Sequence, residues 1–80
     1  MKLPRNISGA DLVNALRALG YERTRQSGSD IRLTTEQNGT HHATVPNHSP
    51  IKLGTLAAIL KAVAAHHGIT TEELLRRLAL

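Results

Sequence analysis

The sequence has no cysteine, no tryptophan and no phenylalanine, and one tyrosine in its 80 residues. Without cysteine neither a disulfide nor a thiolate metal site can stiffen so short a chain, and the expected compartment is a reducing cytoplasm. With one phenol ring, an aromatic cation cage or a platform that stacks several bases is not expected, because both need several ring faces. Long apolar runs are missing too. Leu56 to Ala65 is interrupted by Lys61 and is far too short to cross a bilayer. Met1-Lys2-Leu3-Pro4-Arg5 leads into polar residues with no apolar secretory core, so no membrane partner is expected. Acidic residues are few: six Asp+Glu face ten Lys+Arg, a net charge of +4. The excess gathers in residues 1–35, where Lys2, Arg5, Arg17, Arg23, Arg25 and Arg32 outnumber Asp11, Glu22 and Asp30. Such a balance attracts polyanions, nucleic acid foremost.

What is present describes one small domain over residues 1–80, with a globular balance of 40% hydrophobic and 20% charged residues. Ser8-Gly9-Ala10-Asp11 marks a helix start, Leu12, Val13, Leu16 and Leu19 recur at helical spacing, and Gly20 stops the run. A helix over about residues 9–19 follows. Tyr21–Arg25, Asp30–Thr34 and His41–Val45 are three short stretches rich in Thr, Ile, Val and Tyr. They are separated by Gln26-Ser27-Gly28-Ser29 and by Glu36-Gln37-Asn38-Gly39, whose Asn-Gly pair favours a hairpin turn. Alternation puts Ile31, Leu33, Ala43 and Val45 on one face, opposite Asp30, Arg32, Thr34, His42 and Thr44. The segment Pro46-Asn47-His48-Ser49-Pro50 is a loop, because neither proline can donate to a ladder. A second helix is expected from about Gly54-Thr55 to His67, on the stripe Leu56, Ile59, Leu60 and Val63. Thr70-Thr71-Glu72-Glu73 then reads as a capping box for a short last helix packing through Leu74, Leu75 and Leu78. The fold class is α+β: a three-stranded antiparallel sheet with helices on one face and the other face polar and open.

Four segments in this order resemble the HicA toxin family, small mRNA-cleaving proteins of bacterial toxin–antitoxin pairs. They are the helix ending Leu19-Gly20-Tyr21; Arg25-Gln26-Ser27-Gly28-Ser29; Val45-Pro46-Asn47-His48; and Lys52-Leu53-Gly54-Thr55-Leu56 with Ile59-Leu60. The resemblance covers nearly the whole chain. It implies a fold like a double-stranded-RNA-binding domain, ordered α-β-β-β-α plus a short C-terminal helix. It also implies a metal-independent endoribonuclease that cleaves mRNA and inhibits translation, and that needs no cofactor. The implied partner is a HicB-type antitoxin; the toxin domain would be monomeric alone and larger assemblies would form with that partner.

The resemblance also puts a catalytic histidine directly after the Gly-Ser pair, where this chain has Asp30. Imidazole can take or give a proton near neutrality, with a pKa of about 6.5. An ordinary aspartate, at about 3.9, is a weak base and almost never an acid at pH 7. A deliberate inactivating substitution, a natural loss of activity, or a carboxyl raised by burial would each account for Asp30; lost or weakened activity fits the chemistry best. Around it Arg23, Arg25, Arg32 and Lys52 are candidate phosphate contacts, with Gly28 and Ser29 as the turn presenting residue 30. His42 on the open face and His48 in the loop are possible auxiliaries. No metal site is expected: His41 and His42 point to opposite faces, and no His-x₃-His spacing exists. His66 and His67 read as surface residues favoured by the negative end of their helix. The alternative reading is a non-catalytic RNA-binding or antitoxin-binding module of the same fold.

Overall fold

A computed structural model describes residues 3–80; Met1 and Lys2, which opened the polar leader and the basic half above, lie outside the described residues. The elements are α1 (Gly9–Leu16) and a 3₁₀ turn (Arg17–Leu19), then β1 (Glu22–Ser27), β2 (Asp30–Thr35), β3 (His41–Pro46), α2 (Leu53–His67) and α3 (Thr71–Leu78). The expected α+β layout holds. Ser8 caps α1 reciprocally: its hydroxyl accepts from Asp11 N–H at 3.0 Å and its own N–H donates to the Asp11 carboxylate at 3.1 Å. The helix is shorter than its apolar spacing predicts. Its last three residues tighten into the 3₁₀ turn, and Gly20 ends the run with φ 81°.

The strands pair antiparallel in the order β1-β2-β3. Ile31 faces Val45 and Leu33 faces Ala43, and all four are buried; Arg32 faces Thr44 and Thr34 faces His42 on the other side. The alternation read from the sequence is therefore the observed one. β1 departs from expectation at both ends. Tyr21 precedes the strand with its side chain wholly buried, and pairing continues through Gln26 and Ser27. Only Gly28 and Ser29 remain as a two-residue turn, which Gly28 permits by adopting φ 59°. Every β1 residue is exposed.

Leu12, Leu16, Leu56, Leu60, Val63 and Leu74 close the core against Tyr21, Ile31, Leu33 and Val45. Thr70 caps α3 by accepting from Glu73 N–H at 3.1 Å. The reverse half of the anticipated box is missing, since the Glu73 carboxylate is engaged by Arg76 and Arg77, each at 3.2 Å. Both helices beside the sheet thus lie on one face of it. The other face stays open.

Candidate functional site

On the open face the ladder builds two neighbouring rows. Arg25, Arg32 and Thr44 lie across the three strands, and next to them Ser27, Asp30 and Pro46. Arg25, Ser27, Asp30, Arg32 and Thr44 line one shallow depression; Asp30, Thr44, Pro46, His48, Lys52 and Thr55 line a second. Asp30 and Thr44 belong to both, so the two are continuous. Arg25 and Arg32 are cross-strand partners with like charge, an arrangement that destabilises a sheet. Among the described residues the ion pairs within 4.0 Å are those of Glu73, leaving Arg25, Arg32 and Lys52 without a carboxylate partner there. A bound anion would relieve the Arg25–Arg32 repulsion. Asp30 is exposed, so the burial that a working carboxylic acid would require is absent.

The loop between β3 and α2 is tied down by backbone hydrogen bonds. Asn47 N–H donates to Ser29 O at 2.6 Å, Gly9 N–H to His48 O at 2.8 Å, and Ile51 N–H to Ile7 O at 2.8 Å. Gly9 allows this contact. A Cβ there would overlap Pro46 O and lie 2.8 Å from Asn47 Cα. His48 is thereby held beside the Gly28-Ser29 turn with its ring exposed.

Most of the residues singled out from sequence meet here: Arg25, Ser29, Asp30, Arg32, His48 and Lys52, with Gly28 shaping the turn. Arg23 does not. It pairs with Leu33, so it points to the helix side of the sheet, where it shares a separate depression with Arg17, Gly20, Tyr21 and Glu22. His42 is on the open face as expected, but its Nδ1 is bonded to the Thr34 hydroxyl at 2.8 Å, and Thr34 to Thr24 at 2.9 Å. It lines neither depression around Asp30. Toward that far end the face carries Glu22 and Glu36, so its charge changes sign along the strands.

A further cluster, which no local sequence signal announces, lies at the other end of the sheet. The Tyr21 hydroxyl is 2.7 Å from His41 Nδ1 and 3.3 Å from His67 Nε2. His41 stacks on His66 at 4.5 Å, and His66 Nε2–H donates to Gln37 O and Gly39 O at 3.0 and 2.9 Å. His66 thus straps the β2–β3 turn from the last turn of α2. Burial pushes the Tyr21 phenol up to about 12. Burial first, and then the neighbouring His66, hold His41 and His67 below the ordinary imidazole value. Two adjacent histidine pairs were visible in the sequence, but nothing local says that a strand start and a helix end meet. No group of three or more His, Asp or Glu side chains among the described residues is placed to hold a metal ion. No helix there is long and apolar enough to cross a membrane.

A family model described as HicA toxin of bacterial toxin–antitoxin matches residues 9–64, which take in α1, the whole sheet, the loop and most of α2. No curated protein and no solved structure matches the chain.

Proposed function

The chain belongs to the HicA toxin family of bacterial toxin–antitoxin pairs, and on that premise we propose that it grips and cleaves mRNA through the open face around Asp30. Family membership implies an antitoxin partner. In this reading the toxin works in the cytoplasm, and a HicB-type antitoxin covers the same face and blocks RNA. Cleavage is weakened because Asp30 replaces the imidazole expected after the Gly-Ser turn. The observation that carries the proposal is the pairing of Arg25 with Arg32 beside Lys52, three cations with no carboxylate within 4.0 Å among the described residues.

Three phosphate contacts on single-stranded RNA give a log–log salt slope of about −2, a roughly twenty-fold loss of affinity between 50 and 200 mM salt. Fluorescence anisotropy with a labelled mRNA fragment measures that slope. Arg32→Gln should make it shallower by about 0.7, one contact's share. A salt-independent affinity, or a slope that Arg32→Gln leaves unchanged, would count against the reading. The exposure of Asp30 favours one second reading, a module that binds RNA without cutting it. Binding with no cleavage under any condition would select it.

A further inference from the structure

We propose that His48 is the proton-transfer group of RNA cleavage in this chain, an inference that rests on the assignment of RNA to the open face. The two joined depressions contain one imidazole, and it is His48. His42 is bonded to Thr34 outside them, while His41, His66 and His67 belong to the Tyr21 cluster at the opposite end of β3. Six residues of strand separate those ends, about 16 Å at ~3.3 Å per step.

Placement supports the role. Pro46 is the ladder partner of Asp30, and the next residue, Asn47, bonds to Ser29 O, so His48 follows two positions beyond the partner of residue 30. Its backbone is fixed by the Gly9 N–H bond to its carbonyl. Its ring makes no hydrogen bond among the described residues, which leaves both nitrogens free for substrate. An exposed, unbonded ring on a pinned backbone suits proton transfer, because the backbone position is fixed while the ring nitrogens stay open to the ribose.

The step is a transesterification. His48 accepts the proton of a ribose 2′-hydroxyl, and the 2′-oxygen forms a bond to the adjacent phosphorus. The bond from phosphorus to the 5′-oxygen breaks, its electron pair staying on that oxygen, which takes a proton from solvent. The imidazolium then returns its proton to solvent. The products are a 2′,3′-cyclic phosphate and a 5′-hydroxyl, so atoms and charge balance and no redox partner is needed. Lys52 and the Arg25–Arg32 pair stabilise the added negative charge on phosphorus in the transition state.

The test compares the full chain with His48→Gln and His48→Ala on a 5′-labelled mRNA transcript, reading cleavage rate, product ends, RNA affinity and Tm. Both variants should cut about a hundred-fold more slowly or worse, with RNA affinity within two-fold and Tm unchanged. Wild-type cleavage should leave 2′,3′-cyclic phosphate ends. Equal cleavage by the variants, or other product ends, would overturn the role of His48. Wild-type protein that binds RNA but leaves it intact overturns the same role while the RNA-binding face stands. Failure to bind RNA at low salt removes the RNA assignment itself.

Discussion

Replacing Gly9 by alanine sets two effects of opposite sign against each other. Helix propensity and the loss of unfolded-chain freedom both favour alanine, together by about 1 kcal/mol. Against this, the new Cβ would overlap Pro46 O and lie 2.8 Å from Asn47 Cα. Both are backbone atoms of a segment tied to Ser29 and Ile7, so neither can turn aside as a side-chain tip would. Overpacking of this kind costs about 1–3 kcal/mol. Displacing the loop also weakens the Gly9 N–H bond to His48 O, about 1 kcal/mol more. Sterics should win by about 2 kcal/mol, a fall in Tm of roughly 8–16 °C for a domain of this size. Gly54 supplies the contrast. It is also helical, yet a Cβ there meets nothing within 4 Å, so Gly54→Ala should leave Tm level or raise it by a few degrees. Thermal unfolding followed by far-UV circular dichroism measures all three proteins. A Gly9→Ala protein as stable as wild type would show that the helix start does not hold the His48 loop.

The other predictions concern charge and protons. Asp30→His should raise mRNA cleavage by about 10²–10⁴-fold; identical rates before and after would refute the explanation of weakened activity. Asp30→Asn, which removes the charge without adding an imidazole, should tighten RNA binding a few-fold and leave cleavage weak, read by anisotropy beside the cleavage assay. Stability should fall as pH drops below about 6.5, because the unfolded chain protonates His41 and His67 while the folded cluster keeps them neutral. The loss levels off once the folded histidines also protonate, and urea unfolding from pH 7.5 to 5 follows it. At the alkaline end the sign reverses: the unfolded phenol ionises near 10 and the folded one near 12, so stability is lost between those values. Tyr21→Phe should abolish that alkaline loss.

The helices and strands were legible because their signals are local. Ser8 with Asp11 is a complete capping pair in four residues, and the two faces of β2 follow from strict alternation between Ile31, Leu33 and their neighbours. Strand ends were less so. Gln26 and Ser27 carry loop-like side chains, and only pairing with Ile31 and Asp30 draws them into the sheet. The position of Arg23 on the helix side has the same origin. A register shift between Arg23 and Arg25 puts these two basic residues on opposite faces, and no residue type announces a bulge. The Tyr21–histidine cluster depends on contacts between residues 20 and 46 positions apart, which a reading by neighbours does not reach. The motifs of the family resemblance fall at the Gly28-Ser29 turn, the end of β3 with the loop after it, and the start of α2, which the fold brings together.

That convergence separates grip from chemistry. The cations that would hold a phosphate come from β1, β2 and the start of α2, whereas the imidazole proposed for proton transfer lies on a loop tied to α1. Asp30 sits between them and opposes three positive charges with one negative, so the surface remains attractive to a polyanion. A unit charge about 4 Å away in a water-like medium changes the energy by ~1 kcal/mol. This is enough to loosen one phosphate contact and too little to cancel three. In the proposed reading, an aspartate in place of an imidazole at position 30 would remove a reagent without dismantling the cationic surface. Whatever blocks the site must compete for the same charges. An antitoxin that presents carboxylates to Arg25, Arg32 and Lys52 would neutralise the grip directly, and would do so whether residue 30 is aspartate or histidine.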